Sequence, residues 1–303
     1  MTKFGGLTRR NLLIYFKNLP SVLFSLLTPV IILFLYLLFL RNTFVDAIQE
    51  NIQGLESLIV QDDVDMLANL LLLSGILGST LITVSFTALT TIVQDREQKI
   101  DYDISATPMK RWQIILSYFT ASTLTTFLIS LLILGVGIFG FSLEGNLYLS
   151  IWNLFKLCGI TLLGSISATA LFMPIMLLFS TVSASSAFFG ILSAAVDFLI
   201  GAYIPLSQFS TGIQTLCNIF PGSGITILFR NILMHGVLNE IDRTIDGIDQ
   251  GAFINSIEDT FCFQTNLFGH SLDCKFLICY IIVIVMVSLV AMIGMYAKVY
   301  KRN

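Results

Sequence analysis

Charge is scarce in this chain: acidic and basic residues make up 12% of its 303 positions, where a soluble domain carries roughly 25%. So few charges cannot clothe a globule facing water on all sides. Histidine numbers two and cysteine five, and they form neither a C-x-x-C pair nor a His/Cys cluster at metal-binding spacing, so no metal site is expected. His235 and His270 stand alone. Also missing are G-x-x-x-x-G-K-S/T, G-x-S-x-G, H-E-x-x-H and a strand followed by G-x-G-x-x-G, so the chain carries no nucleotide or hydrolase motif of its own. Basic residues are not interleaved with aromatics as in a nucleic-acid surface. No internal repeat is visible, which weighs against a secondary transporter built from inverted halves.

What the chain does contain is long apolar runs. It is 55% hydrophobic with a mean hydropathy of +0.87. A membrane span needs about 20 mostly apolar residues, and six stretches qualify: 22–40, 69–93, 112–141, 157–181, 187–206 and 276–297. A β-barrel would instead show alternating segments of roughly ten residues. Backbone groups in hydrocarbon must bond within their own segment, so the expected fold is an all-α polytopic membrane domain, one domain over 1–303.

The net charge of −3 hides an asymmetry. Eleven of the 16 basic residues, Lys3, Arg9, Arg10, Lys17, Arg96, Lys99, Lys110, Arg111, Lys298, Lys301 and Arg302, fall before span one, between spans two and three, or after span six. The opposite connections are acidic, with Asp46, Glu50, Glu56, Asp62, Asp63 and Asp65 in one and Glu240, Asp242, Asp246, Asp249, Glu258, Asp259 and Asp273 in another. The positive-inside rule then places both termini in the cytoplasm. The expected location is the cell membrane, multi-pass, and the composition has a bacterial flavour.

In chain order, residues 1–20 mix Phe4, Leu7, Leu12, Leu13 and Phe16 with Lys3, Arg9, Arg10 and Lys17, which suits a helix lying in the membrane interface. The apolar run that follows is too long for a signal peptide and lacks a small-residue cleavage site. Between Arg41 and Leu67, Val45, Ile48, Ile52, Leu55, Leu58 and Ile59 recur at helical spacing and predict an amphipathic helix on the outer surface. Gly135, Gly137 and Gly140 in span three, and Gly164 and Ala168 in span four, mark surfaces for close helix packing. The uncharged turn 180–186 makes spans four and five a tight hairpin. Span five carries Asp197, an acid inside a membrane segment; it either lines a polar path or bonds a neighbouring Ser or Thr. In the segment 207–275, two short apolar stretches flank Pro221-Gly222-Ser223-Gly224, which predicts a re-entrant helical hairpin, with Arg230 near its outer rim. Residues 236–273 are polar and expected to project outside. Cys262 and Cys274 both fall there, so a disulfide is one reading and free thiols the other.

Between spans two and three lies a charged island, Gln94-Asp95-Arg96-Glu97-Gln98-Lys99-Ile100-Asp101-Tyr102-Asp103-Ile104-Ser105-Ala106-Thr107-Pro108-Met109-Lys110-Arg111. Eight charges exclude it from hydrocarbon. Asp95 and Lys99 at i and i+4 favour a short surface helix, and Thr107-Pro108 reads as the N-cap and first residue of the next span. An ordinary solvated loop is the plainer alternative. Six spans, an N-terminal interfacial helix, and Asp95-Arg96-Glu97 leading to Ala106-Thr107-Pro108 resemble the permease subunits of type-2 ABC exporters. Pro205-Leu206, Phe220-Pro221-Gly222 and Leu228-Phe229-Arg230-Asn231 match that family's membrane-dipping hairpin. The resemblance covers most of the chain. It departs from the family at the more heavily charged run 98–103 and at the longer outer loop 236–273.

The resemblance implies a non-enzymatic transport subunit. Asp95, Arg96, Glu97, Lys99, Thr107 and Pro108 would couple to two copies of a cytoplasmic ABC ATPase, which would hold the ATP and Mg. A second permease, identical or homologous, would complete the pathway among membrane lipids, with Asp197, Pro205, Pro221 and Gly222 on the path or in its packing. No cofactor on this chain and no nucleic-acid partner are implied. The cargo would be a hydrophobic or amphipathic drug, lipid, glycolipid or peptide leaving the cell. Two other classes fit the composition: an ATPase-independent channel or secondary transporter working through Asp197, and a sensor or immunity protein using the 236–273 loop.

Overall fold

The computed structural model describes residues 3–50, 59–245, 251–267 and 270–299. Ile52, Leu55, Glu56, Leu58, Asp246, Asp249, Lys301 and Arg302 lie outside them. Among the described residues the chain is all-α apart from one three-residue hairpin. The helices are α1 Lys3–Lys17, α2 Leu19–Leu35, α3 Arg41–Glu50, α4 Gln61–Glu97, α5 Ile100–Ala106 and α6 Arg111–Ser142. They continue with α7 Ile151–Met176, α8 Val182–Leu199, α9 Thr211–Ile219, α10 Pro221–Ile245, α11 Ala252–Thr260 and α12 Cys274–Val299. Strands β1 Thr265–Leu267 and β2 His270–Leu272 pair antiparallel. Six of these segments are long and apolar enough to cross a membrane, or seven if the bent pair α9 and α10 counts as one. This is a polytopic membrane protein.

The bundle is organised around α4, the most hidden of the six segments: its apolar window is fully buried, against 17–56% for the others. It is ringed by α2, α6, α7, α8 and α10. Hydrophobicity cannot draw helices together inside lipid, so close approach and packing must do it, and small residues permit both. A side chain at Gly78 would collide with Thr226 of α10, and one at Gly75 would come within 2.9 Å of Ala202. Several buried hydroxyls of α4 are satisfied along their own helix, Ser74 by Leu71 O at 2.6 Å and Thr80 by Ile76 O at 2.6 Å. They therefore add little to the cost of burial.

Several boundaries differ from the sequence expectation. Span one runs from Leu19 through a π-helical turn, Tyr36–Leu40, into α3, so the amphipathic segment is partly a continuation of the span, with Phe44 and Ile48 buried. Span two starts at Gln61 rather than near 69. Asp62 and Asp63 suit a helix N-terminus, and Val64, Met66 and Leu67 are already buried. Span five stops at Leu199 because Gly201 takes φ +68° and Ala202 N bonds Asp197 O at 2.8 Å, the Schellman closure.

The 207–275 segment shows the largest difference. Helices α9 and α10 meet at Phe220 with a 91° bend. Phe220, Pro221 and Gly222 lie against Gly78, Leu81 and Ile82, halfway along α4. From there α10 runs on to Ile245 with Val237, Leu238, Ile241 and Ile245 in the core. Beyond it Phe253, Ile257, Phe261 and Phe263 are buried in the same cluster as Phe44 and Ile48. The described residues of 236–273 are thus in large part a cap closing the end of the bundle remote from α5. Their polar composition concealed helical stripes of apolar residues.

Candidate functional site: the end of the central helix

Three consecutive charges close α4, and each is committed to a different partner. Asp95 is 3% exposed. It accepts a two-pronged guanidinium contact from Arg10 of α1, Nη1 to Oδ2 at 2.5 Å and Nη2 to Oδ1 at 2.7 Å, and a further hydrogen bond from the Tyr118 hydroxyl of α6. The paired carboxylate raises the Arg10 pKa above its ordinary value, more than partial burial lowers it. Arg96 turns the other way, and its Nη1 donates to Leu177 O and Phe179 O, each at 2.8 Å. Those carbonyls lie at the C-cap of α7 and in the turn just past it, where the helix dipole is negative. Glu97 Oε2 accepts from Val182 N at 2.9 Å, the first residue of α8, where the dipole is positive. Residues 96 and 97 therefore staple the α7–α8 hairpin to the tip of α4, cation on one helix end and anion on the other.

Past this cluster the chain turns outward. Lys99 sits in the left-handed region at φ 62° and breaks the helix, so Asp95 and Lys99 do not share the continuous turn expected of an i, i+4 pair. The helix α5 follows, with Tyr102 55% exposed and no residue buried. Thr107 is the C-cap of α5, not the N-cap of the next span: its hydroxyl bonds Ile104 O at 2.6 Å. Its backbone is extended at ψ 152°, as the following Pro108 requires. The next span begins at Arg111 after Lys110 N bonds Gln113 Oε1 at 3.0 Å. Glu97, Lys99, Thr107, Pro108 and Lys110 are all exposed.

The remaining sequence candidates are dispersed. Asp197 of α8 is 1% exposed and interacts with Ser79 of α4 and Tyr203; among the described residues it forms no ion pair. Pro205 precedes a 3-10 turn, Leu206–Gln208. Pro221 opens α10, and Gly222 is pressed against Phe220 and Ile82, where a Cβ would lie 2.6 and 2.8 Å from their side chains. Arg230 is not at a rim: it is 2% exposed, donating to Phe261 O and, at 3.4 Å, to Gly201 O. It clasps the end of α8 to the distal cap. Cys262 and Cys274 are free thiols, so the disulfide is not formed. Among the described residues no group of His, Cys, Asp and Glu is placed to hold a metal.

Sequence reasoning placed Asp95, Arg96 and Glu97 in one segment but missed Arg10 and Tyr118 as partners. The contact from Arg10 spans 85 positions, and no local pattern announces it. None of the curated proteins matches the chain at a significant level. The family model described as ABC-2 family transporter protein matches residues 48–297, which takes in everything from the end of α3 into α12 and begins after α1 and α2. The chain belongs to the ABC-2 family of transporter proteins, and it is a membrane permease of an ABC transporter.

Proposed function

We propose that this permease is the membrane half of an ATP-driven exporter and that the exposed stretch 97–110 receives the ATPase. ABC-2 permeases generally work with an ATPase subunit. The observation that supports this assignment is the tip of α4, where Asp95, Arg96 and Glu97 tie it to α1, the end of α7 and the start of α8. A push on the adjoining α5 would reach α1, α6, α7 and α8 through the tip of α4 by charge-assisted bonds, which are shorter and stronger than neutral ones. Closure of two ATPase subunits on ATP and Mg would thereby tilt α4 and α6 relative to α8. A second permease, identical or homologous, would form the other wall of the path. A hydrophobic or amphipathic molecule would leave the inner leaflet past the α9–α10 bend, with Asp197, Pro221 and Gly222 near its route.

In this account both termini are cytoplasmic and the membrane is the cell membrane. Replacing Glu97 by Lys sets a cation against the positive start of α8 and is expected to abolish export while leaving membrane insertion intact, measured as efflux from cells at matched expression. Unchanged export in that variant would sink the coupling assignment. The buried Asp197, which forms no ion pair among the described residues, favours one other reading, ion-driven transport. That reading requires flux without any ATPase, lost in Asp197→Asn.

A further inference from the structure

A groove of about 320 Å³ opens between α2, α4 and α6, lined by residues that include Pro29, Leu33, Leu73, Ile76, Val136 and Gly140. Its wall faces the surrounding lipid, with Val30 58% and Val136 64% exposed. The volume lies at the small end of the range for ligand pockets, about 300–1,000 Å³, enough for one flexible apolar chain.

Beyond the lining, toward the end of the bundle remote from α5, each of the three segments brings one polar residue on or just past its helix. Tyr36 follows Leu33 by three positions, Asn69 precedes Leu73 by four, and Glu144 follows Gly140 by four. The spacing puts Asn69 on the same face of α4 as Leu73, Tyr36 stands in the π turn that continues α2, and Glu144 stands in the turn just past the end of α6. The three are bonded to one another: Tyr36 Oη donates to Asn69 Oδ1 at 3.1 Å, and Asn69 Nδ2 donates to Glu144 Oε2 at 2.9 Å. Glu144 itself is exposed, and the described residues give its Oε1 no hydrogen bond. Arg41, next to Tyr36's π turn, is already paired with Asp65 at 2.8 Å, and among the described residues no cation forms an ion pair with Glu144. In addition, α2 carries its π turn where Tyr36 enters the network, a distortion that often marks functional positions in helices.

We propose that this groove binds an amphiphile with one apolar tail and a cationic head, the tail lying between α2, α4 and α6 and the head on the Glu144 carboxylate. Charge complementarity selects the head and the dry lining selects the tail. Binding needs no ATPase, so this site stands or falls apart from the transport assignment.

The test uses the full chain in phosphatidylcholine nanodiscs and a hexadecyl chain carrying a nitroxide near its free end, on either a trimethylammonium or a sulfate head. The motionally restricted fraction is read from the spin-label spectrum, and the difference between heads cancels ordinary boundary lipid. The ammonium probe is expected to be held about fivefold more tightly than the sulfate, the scale of an exposed ion pair. Glu144→Gln should erase that preference, and Val136→Trp, which fills the groove from its lipid side, should remove the head-selective component. Both positions are exposed, so neither variant disturbs the buried core. Equal retention of the two probes by the unmodified chain, a preference that survives Glu144→Gln, or one that survives Val136→Trp would overturn the proposal.

Discussion

Removing Arg10 should destabilise the protein more than neutralising Asp95, although Arg10 is the more exposed partner. The side-chain exposures are 32% for Arg10 and 4% for Asp95. Arg10→Ala strands a carboxylate in a site closed to water, with only Tyr118 left to bond it. Breaking a buried pair in this way costs about 3–5 kcal/mol, and the water that already reaches Arg10 brings the expectation to the lower end, about 3 kcal/mol. Asp95→Asn leaves a guanidinium that water can solvate and an amide oxygen that still accepts from Tyr118, which costs about 1 kcal/mol, the usual net worth of one hydrogen bond. The double variant should match Asp95→Asn alone, because the uncompensated charge is gone. At about 2–4 °C per kcal/mol for domains of 150–250 residues, Arg10→Ala should lower the melting temperature in detergent by about 6–12 °C. Asp95→Asn and the double variant should lower it by about 2–4 °C. An Arg10→Ala loss no larger than that of Asp95→Asn, or additive losses in the double variant, would refute the buried-pair account.

Two further outcomes follow from packing and exposure. Gly78→Leu should cost about 1–3 kcal/mol by overpacking against Thr226, whereas Gly159→Ala, with nothing within 4 Å of its Cβ, should be neutral or stabilising by about 0.5–1 kcal/mol; thermal unfolding distinguishes them. Both Cys262 and Cys274 should take up a maleimide without prior reduction, seen as a mass shift. Burial raises the Cys262 thiol above its ordinary pKa, so its thiolate fraction at neutral pH is small and its labelling rate should keep climbing beyond pH 9. A plateau near pH 8 would contradict that environment.

Fold class and span number were legible in the sequence because hydrocarbon imposes a length and a composition that six stretches meet. The centrality of α4 was not. Hydropathy marks all six spans alike, and what buries α4 is the match of Gly75 and Gly78 to Ala202 and Thr226, a tertiary fit between segments over 100 positions apart. Charge counting placed Asp95, Arg96 and Glu97 outside hydrocarbon but read them as surface. It could not show that Arg96 bonds Leu177 and Phe179 and Glu97 bonds Val182, tying the tip of α4 to α7 and α8, because helix-end carbonyls and amides have no residue signature. The same blindness put Arg230 at a rim, when backbone oxygens of Phe261 and Gly201 receive it in the interior. In 236–273 the polar residues set the average while Val237, Leu238, Ile241 and Ile245 set the fold. Their helical spacing was the signal that an average over the loop discards.

The central claim is that the tip of α4 and the exposed segment after it engage an ATPase. The most direct measurement is isolation of the tagged protein in mild detergent, followed by assay of ATP hydrolysis on what accompanies it. A stoichiometric ATP-hydrolysing partner is expected, lost when Lys99, Tyr102 and Asp103 on the exposed face are replaced by Ala and retained in Gly159→Ala. Purification of the chain alone, or a partner indifferent to the α5 substitutions, would contradict the claim.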